Sequence, residues 1–227
     1  VSSAEPGARL LELVAVMDRL RSPGGCPWDA EQTHASLLQY LIEETYETVE
    51  AVESGDRDHL VEELGDLLLQ VVFHARIGQE RTDDPFDIDD VAAGIVTKLR
   101  NRHPHVFGDA TVTDMAALET NWEAAKAAEK GRASAMDGIP PGLPALALAA
   151  KTQSRAARLG AGPDVPAAPL DADADLGEAL FALVATARAR GLDPEAELRA
   201  ATRRFAAAVR AAEGIVAGFS DPDVSQR

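Results

Sequence analysis

Positions with an apolar bias repeat through the N-terminal half with the period of an α-helix. Leu38, Leu41, Thr45, Val49 and Val52 step by three, four, four and three residues, and Leu60, Leu64, Leu67, Leu68, Val71, Val72 and Ala75 form a second stripe. Ser54-Gly55 is a stop signal between them, and Asp56 or Asp58 a start signal for the second helix. Asp29 and Gln32 are spaced as a capping box upstream. So short a link predicts an antiparallel hairpin. An amphipathic helix is expected before it, from about Arg9 to Arg21, ending at Ser22-Pro23-Gly24-Gly25. A polar break at Thr82–Pro85 precedes a further helix over Ile88–Arg102, and another is expected from Met115 to Lys130. The stretch His103–Gly108 is expected to be a turn or extended, because Pro104 disfavours helix at its predecessor.

The polar positions on the hairpin are unusual. Glu43, Glu44 and Glu47 lie on the first helix; Glu62, Glu63 and Asp66 lie on the second. A pair at i,i+3 projects from one helix face, about 5 Å apart along the axis. Glu44/Glu47 opposite Glu63/Asp66 therefore offers four oxygen ligands to a hard cation, Mg²⁺ or Mn²⁺. A solvated acidic face is the alternative. Two pairs around one turn, with like charges at i,i+4 in Glu43/Glu47 and Glu62/Asp66 and no basic partner in view, favour the metal. Gly65, mid-helix beside these acids, costs about 1 kcal/mol relative to Ala. Close approach of another backbone or of a ligand would account for it.

Composition narrows the classes. Aromatic residues make up only 4% of 227 residues, strand-like alternation is nearly absent, and no glycine-rich phosphate loop occurs, so packed helices are expected. A net charge of −16 argues against nucleic acid polymers and anionic membranes as partners. A single cysteine, Cys26, precludes an internal disulfide, and it is read as inert. No stretch reads as a leader or a membrane span, so a cytoplasmic protein is expected.

Pro140, Pro141, Gly142 and Pro144 mark a linker over 134–145 between a catalytic domain, 1–133, and a second region, 146–227. The second region is a faded copy of the first. At a shift of 112 residues, Leu64, Gly65, Leu68, Val72, Ala75 and Arg76 fall on Leu176, Gly177, Leu180, Val184, Ala187 and Arg188. Glu44 and Glu47, however, fall on Ala156 and Leu159. Half an acid set cannot hold a four-ligand metal, so the second repeat is read as degenerate, non-catalytic and used for packing or assembly.

Cations are few and concentrated. Lys98 and Arg102 share a helix face, with Arg100 between them, and suit phosphate oxygens, although a surface-charge role competes. His103 and His105 could join them or be structural. Trp122 and Lys126, also i,i+4, could stack on a base and reach phosphate; a core-packing Trp is the alternative. Trp28 is read as a hydrophobic anchor before its helix.

Five segments carry a resemblance: Gly-Cys-Pro-Trp-Asp (25–29), Leu-Ile-Glu-Glu-Thr-Tyr-Glu (41–47), Glu-Glu-Leu-Gly-Asp-Leu-Leu-Leu-Gln-Val-Val (62–72), Arg-His-Pro-His-Val-Phe-Gly-Asp (102–109) and Asn-Trp-Glu (121–123). Together they resemble the MazG family of nucleoside triphosphate pyrophosphohydrolases, and the likeness runs on through Ile139–Leu146. The resemblance implies an all-α, antiparallel helical bundle that pairs with a second subunit. It also implies hydrolysis of (deoxy)nucleoside triphosphates between the α- and β-phosphates, giving a monophosphate and pyrophosphate. On matching positions, Glu44, Glu47, Glu63 and Asp66 would be Mg²⁺ ligands, and Glu43 would orient or deprotonate the attacking water. Lys98 and Arg102 would meet phosphate, and Trp122 the nucleotide. Family members with two complete repeats have a second Glu-x-x-Glu; this chain departs from them there.

Two other readings compete. Ferritin-like di-iron proteins use Glu-x-x-His pairs, but the third position after Glu44 and Glu63 is an acid, and His74 does not repair the motif. A non-catalytic interaction module is the other. The two apolar stripes exceed what one hairpin can bury, so a homodimer is expected, with the second repeat as the rival partner.

Overall fold

The computed structural model describes residues 5–108, 134–159 and 175–213, and every described element is helical. The chain divides into two compact units, Val1–Ala125 and Lys126–Arg227.

The first unit begins with α1 (Ala8–Arg21), the one-turn α2 (Pro27–Glu31) and the hairpin of α3 (Leu38–Ser54) and α4 (Arg57–Gln79). α5 (Ile88–Arg102) and the single turn α6 (Pro104–Phe107) follow. Gly55 closes α3 at φ 74°, a left-handed conformation that glycine adopts without Cβ strain. One residue later Asp56 caps α4, its side chain accepting from the backbone N–H groups of Asp58 and His59. The reversal is therefore completed in two residues, and α3 packs along α4 as the hairpin expectation requires. α5 starts at a reciprocal capping box between Asp87 and Asp90.

Three local expectations need correction. Asp29 and Gln32 do not form a capping box: Asp29 lies inside α2, which starts with Pro27 at its first turn. The reciprocal pair before α3 is Thr33 and Ser36, each backbone N–H bonded to the other's hydroxyl at 2.9 and 3.1 Å. His103 is non-helical, as Pro104 demands, but Pro104 itself then starts the turn α6. Nor does a neighbouring backbone account for Gly65: among the described residues, a Cβ there would meet nothing beyond its own helix within 4 Å.

The core joins Met17 of α1, Leu37 before α3, and Val72 and Phe73 of α4, with Leu13, Val14, Leu20, Tyr40, Leu69, Ile77 and Ile88 packed around them. It is fastened by Arg21, whose guanidinium is buried against Glu80 and reaches the carbonyl oxygens of Asp29 and Gln32. Phe86 closes over Gly78, where a Cβ would come within 2.6 Å of the ring. Trp28 lies within α2 rather than before a helix, half-exposed and edge-on to Tyr40. Much of the apolar stripe stays outside this core. Leu38, Ile42, Tyr46 and Val52 on α3, Leu64, Leu68 and Val71 on α4, and Ile95, Val96 and Leu99 on α5 are exposed.

The second unit contains α7 (Ala145–Leu159), α8 (Leu176–Ala189) and α9 (Pro194–Ala212), with α7 and α8 packed as a pair. Buried Gln153 donates to the carbonyl of Phe181 at 2.7 Å, and buried Arg155 fixes the carbonyls of Ala135 and Asp137. The proline-rich segment before α7 is thus partly tied down. Asp175, which the repeat aligns with Glu63, is the N-cap of α8 and accepts from the backbone N–H of Glu178 at 3.0 Å. The copied acid has a different duty: it starts a helix that in the first unit continues uninterrupted.

Candidate metal centre

The tight reversal at Gly55 and Asp56 sets the acids of α3 beside those of α4. One carboxylate oxygen each from Glu44, Glu63 and Asp66 lies within 4.8 Å of the other two. Glu63 is the innermost, 7% exposed. Its Oε1 lies 3.1 Å from Nε2 of His59, one turn earlier on α4, while its buried Oε2 has no hydrogen-bond partner among the described residues.

Electrostatics records the crowding. Burial, then the charges of Asp66 and Glu47, a hydrogen bond with Glu47 and the charge of Glu63 push the Glu44 carboxyl up to about 7. Glu63 is raised too, by burial first and by the charge of Glu47 next; His59 opposes the shift, and Asp66 and Glu62 add to it. A buried, unpartnered carboxylate oxygen inside a ring of like charge is an unfavourable arrangement that a cation would relieve. Three hard oxygen donors without nitrogen or sulfur suit Mg²⁺ or Mn²⁺. The residues fit the expected ion.

The four expected ligands separate into a trio and a neighbour. Glu47 is exposed, bonds to Glu44 and acts on Glu63 by charge, but does not belong to the 4.8 Å set. Glu43 is exposed on the same turn of α3. Lys98 is exposed on α5 and Arg102 half-buried at its end, and neither is among the main charges that shift Glu44 and Glu63, which lie on α3 and α4. His103 bonds through Nδ1 to the carbonyl of Leu99 at 2.7 Å, which occupies it at the end of α5. Trp122 and Lys126 lie outside the described residues. His74 is bonded to His34 and is no member of the acid set. The contact that sequence reasoning missed is His59, which contradicts the expectation that no basic group stands near these acids. Its signal was present as the i,i+4 spacing to Glu63.

The hairpin of α3 and α4 thus brings together three carboxylates that could hold a metal ion. The MazG nucleotide pyrophosphohydrolase domain matches residues 32–107, which take in all of α3, α4 and α5. An uncharacterized 26.1 kDa protein of Streptomyces cacaoi is 52% identical over 92% of this chain and 84% of its own length. The nucleoside triphosphate pyrophosphohydrolase of Mycolicibacterium smegmatis is 52% identical over 69% of this chain. That match covers 48% of the relative, so the chain spans about half the length of this pyrophosphohydrolase. The crystal structure of a mazG-related protein from Thermotoga maritima is 30% identical, covering 52% of this chain and 96% of that one, with a TM-score of 0.42. The chain belongs to the MazG nucleotide pyrophosphohydrolase family.

Proposed function

We propose that this chain hydrolyses nucleoside and deoxynucleoside triphosphates between the α- and β-phosphates, releasing a nucleoside monophosphate and pyrophosphate. The observation that carries the reading is that one carboxylate oxygen each of Glu44, Glu63 and Asp66 lies within 4.8 Å of the others, while Oε2 of Glu63 is buried without a partner among the described residues. These three residues would hold Mg²⁺, or Mn²⁺ in its place, with Glu47 as the fourth acid. The bound ion supplies neutralisation of the triphosphate's charge and a lowered pKa for the attacking water.

The remaining roles belong to side chains around the trio. Glu43 orients the water and accepts its proton. Lys98 and Arg102 pair with phosphate oxygens, which a chain of net charge −16 can meet only with local cations. Trp122 and Lys126 are assigned to the nucleotide from sequence alone. The catalytic apparatus is assigned to 1–133, with 146–227 as a non-catalytic repeat after the 134–145 linker. The exposed apolar positions of α3, α4 and α5 support a homodimer that covers them. No helix among the described residues is long and apolar enough to cross a membrane, and a cytoplasmic role in nucleotide-pool housekeeping fits the chemistry.

Product identity tests the reading. Incubation with a panel of ordinary, deoxy and oxidised triphosphates should yield monophosphate and pyrophosphate in equal amounts from at least one of them. A diphosphate with orthophosphate would contradict the assigned bond.

A further inference from the structure

The two oxygens of Glu63 have different surroundings. Oε1 lies 3.1 Å from His59 Nε2, and Oε2 is buried and unpartnered. An ionised carboxylate only accepts hydrogen bonds, so His59 donates from Nε2. The donor is itself held in place. Asp56 Oδ1 accepts from the backbone N–H of His59 at 3.2 Å and from that of Asp58 at 2.9 Å, fixing the first turn of α4. A chain of contacts thus runs from the Asp56 cap through His59 to Glu63, and it ends at the acid trio.

We propose that His59 is a positioning residue for the metal site: by occupying Oε1 of Glu63 it fixes that carboxylate and leaves Oε2 for the cation. This rests on the metal-dependent reading above. A carboxylate free to rotate would present either oxygen, or both, and would lose orientational entropy on coordination; a fixed one has lost it already. An imidazole suits the task because it can donate while neutral, without adding a positive charge beside the ion it helps to seat. The competing explanation is a helix-stabilising i,i+4 pair with no bearing on metal. That explanation moves the melting temperature and leaves metal affinity alone.

The test is Mn²⁺ binding to the purified full chain, measured by isothermal titration calorimetry without nucleotide. The wild type is compared with His59→Ala, His59→Gln and Glu63→Ala. His59→Ala should weaken Mn²⁺ binding about tenfold or more, the range seen when partners of metal ligands are removed. His59→Gln, whose amide can still donate to Oε1, should recover most of the affinity. In turnover assays His59→Ala should need a correspondingly higher metal concentration for half-maximal rate, with kcat largely restored at saturation. Wild-type affinity in His59→Ala, or a Gln variant as weak as Ala, overturns the positioning role while leaving the metal site standing. Absence of Mn²⁺ binding by the wild type, or binding undiminished in Glu63→Ala, overturns the metal reading itself and this inference with it.

Discussion

His34 and His74 face one another through their Nδ1 atoms at 2.8 Å, with ring planes 7° apart and centroids separated by 5.1 Å. One Nδ1 must carry a hydrogen and the other a lone pair. Because Nε2 of His74 is buried without a partner among the described residues, we assign the shared hydrogen to His74 Nδ1, donating to His34. The pair connects the turn that leads into α3 with the C-terminal part of α4.

A pH dependence follows from this contact. Burial, and secondarily the charge of His34, lowers the pKa of His74 below its usual 6.5. The folded chain therefore binds this proton less readily than the unfolded chain. Its contribution to stability is present above pH 6.5 and is lost as pH falls through the lowered folded value. Thermal melts from pH 8 to pH 5 in chelator should show a slope from this group that is absent in His74→Gln, identified by the difference between the two profiles.

Glu44 should act with the opposite sign. Its folded pKa of about 7 lies above the ordinary 4.5, so its neutral form favours folding below 4.5 and that advantage disappears as pH rises through 7. At pH 8 without metal, Glu44→Gln should melt higher than the wild type, by a few degrees. Adding Mg²⁺ should raise the wild-type midpoint and leave that of the variant nearly unchanged.

Arg21 should be among the costliest surface-to-core links to cut. Its side chain is buried, pairs with Glu80 through two nitrogens, reaches two backbone carbonyls and lies over the Phe73 ring. Arg21→Ala should cost about 3 kcal/mol in urea unfolding, because it strands buried acceptors as well as breaking an ion pair.

Ile42 separates the isolated unit from the proposed homodimer. It is 57% exposed on α3, so Ile42→Glu should change the stability of a lone unit by no more than about 0.5 kcal/mol. If the exposed apolar face is a subunit interface, the same change buries a charge there and should convert dimer to monomer in sedimentation at micromolar concentration. A variant that sediments as the wild type does, whether monomer or dimer, would count against that interface.

Local patterns were the most legible in the sequence. The Ser54-Gly55 stop and the Ile88–Arg102 helix depend on neighbours within one or two turns, and they stand as expected. Of the two i,i+3 acid pairs, Glu44, Glu63 and Asp66 come together while Glu47 stays outside the set. α2 and α6 escaped because a single turn shows no period; each is set by a proline at its start. The His34–His74 contact joins residues forty positions apart, and no spacing rule reaches that far. The apolar stripes showed the helices but not what covers them, since periodicity is the same for a buried face and an uncovered one. In the second unit the copied sequence suggested a copied helix. Only the backbone reveals that Asp175 is spent on capping it.

The central claim is that α3 and α4 hold a divalent ion needed for pyrophosphate release. Measuring pyrophosphate from a deoxynucleoside triphosphate, first with Mg²⁺ and then with excess chelator, for the wild type and for Glu63→Gln, tests it most directly. The account predicts turnover by the wild type with Mg²⁺, none with chelator, full recovery when Mg²⁺ is restored, and at least a hundredfold loss in Glu63→Gln with the fold retained. Undiminished release in chelator, or wild-type rates from Glu63→Gln, would contradict it.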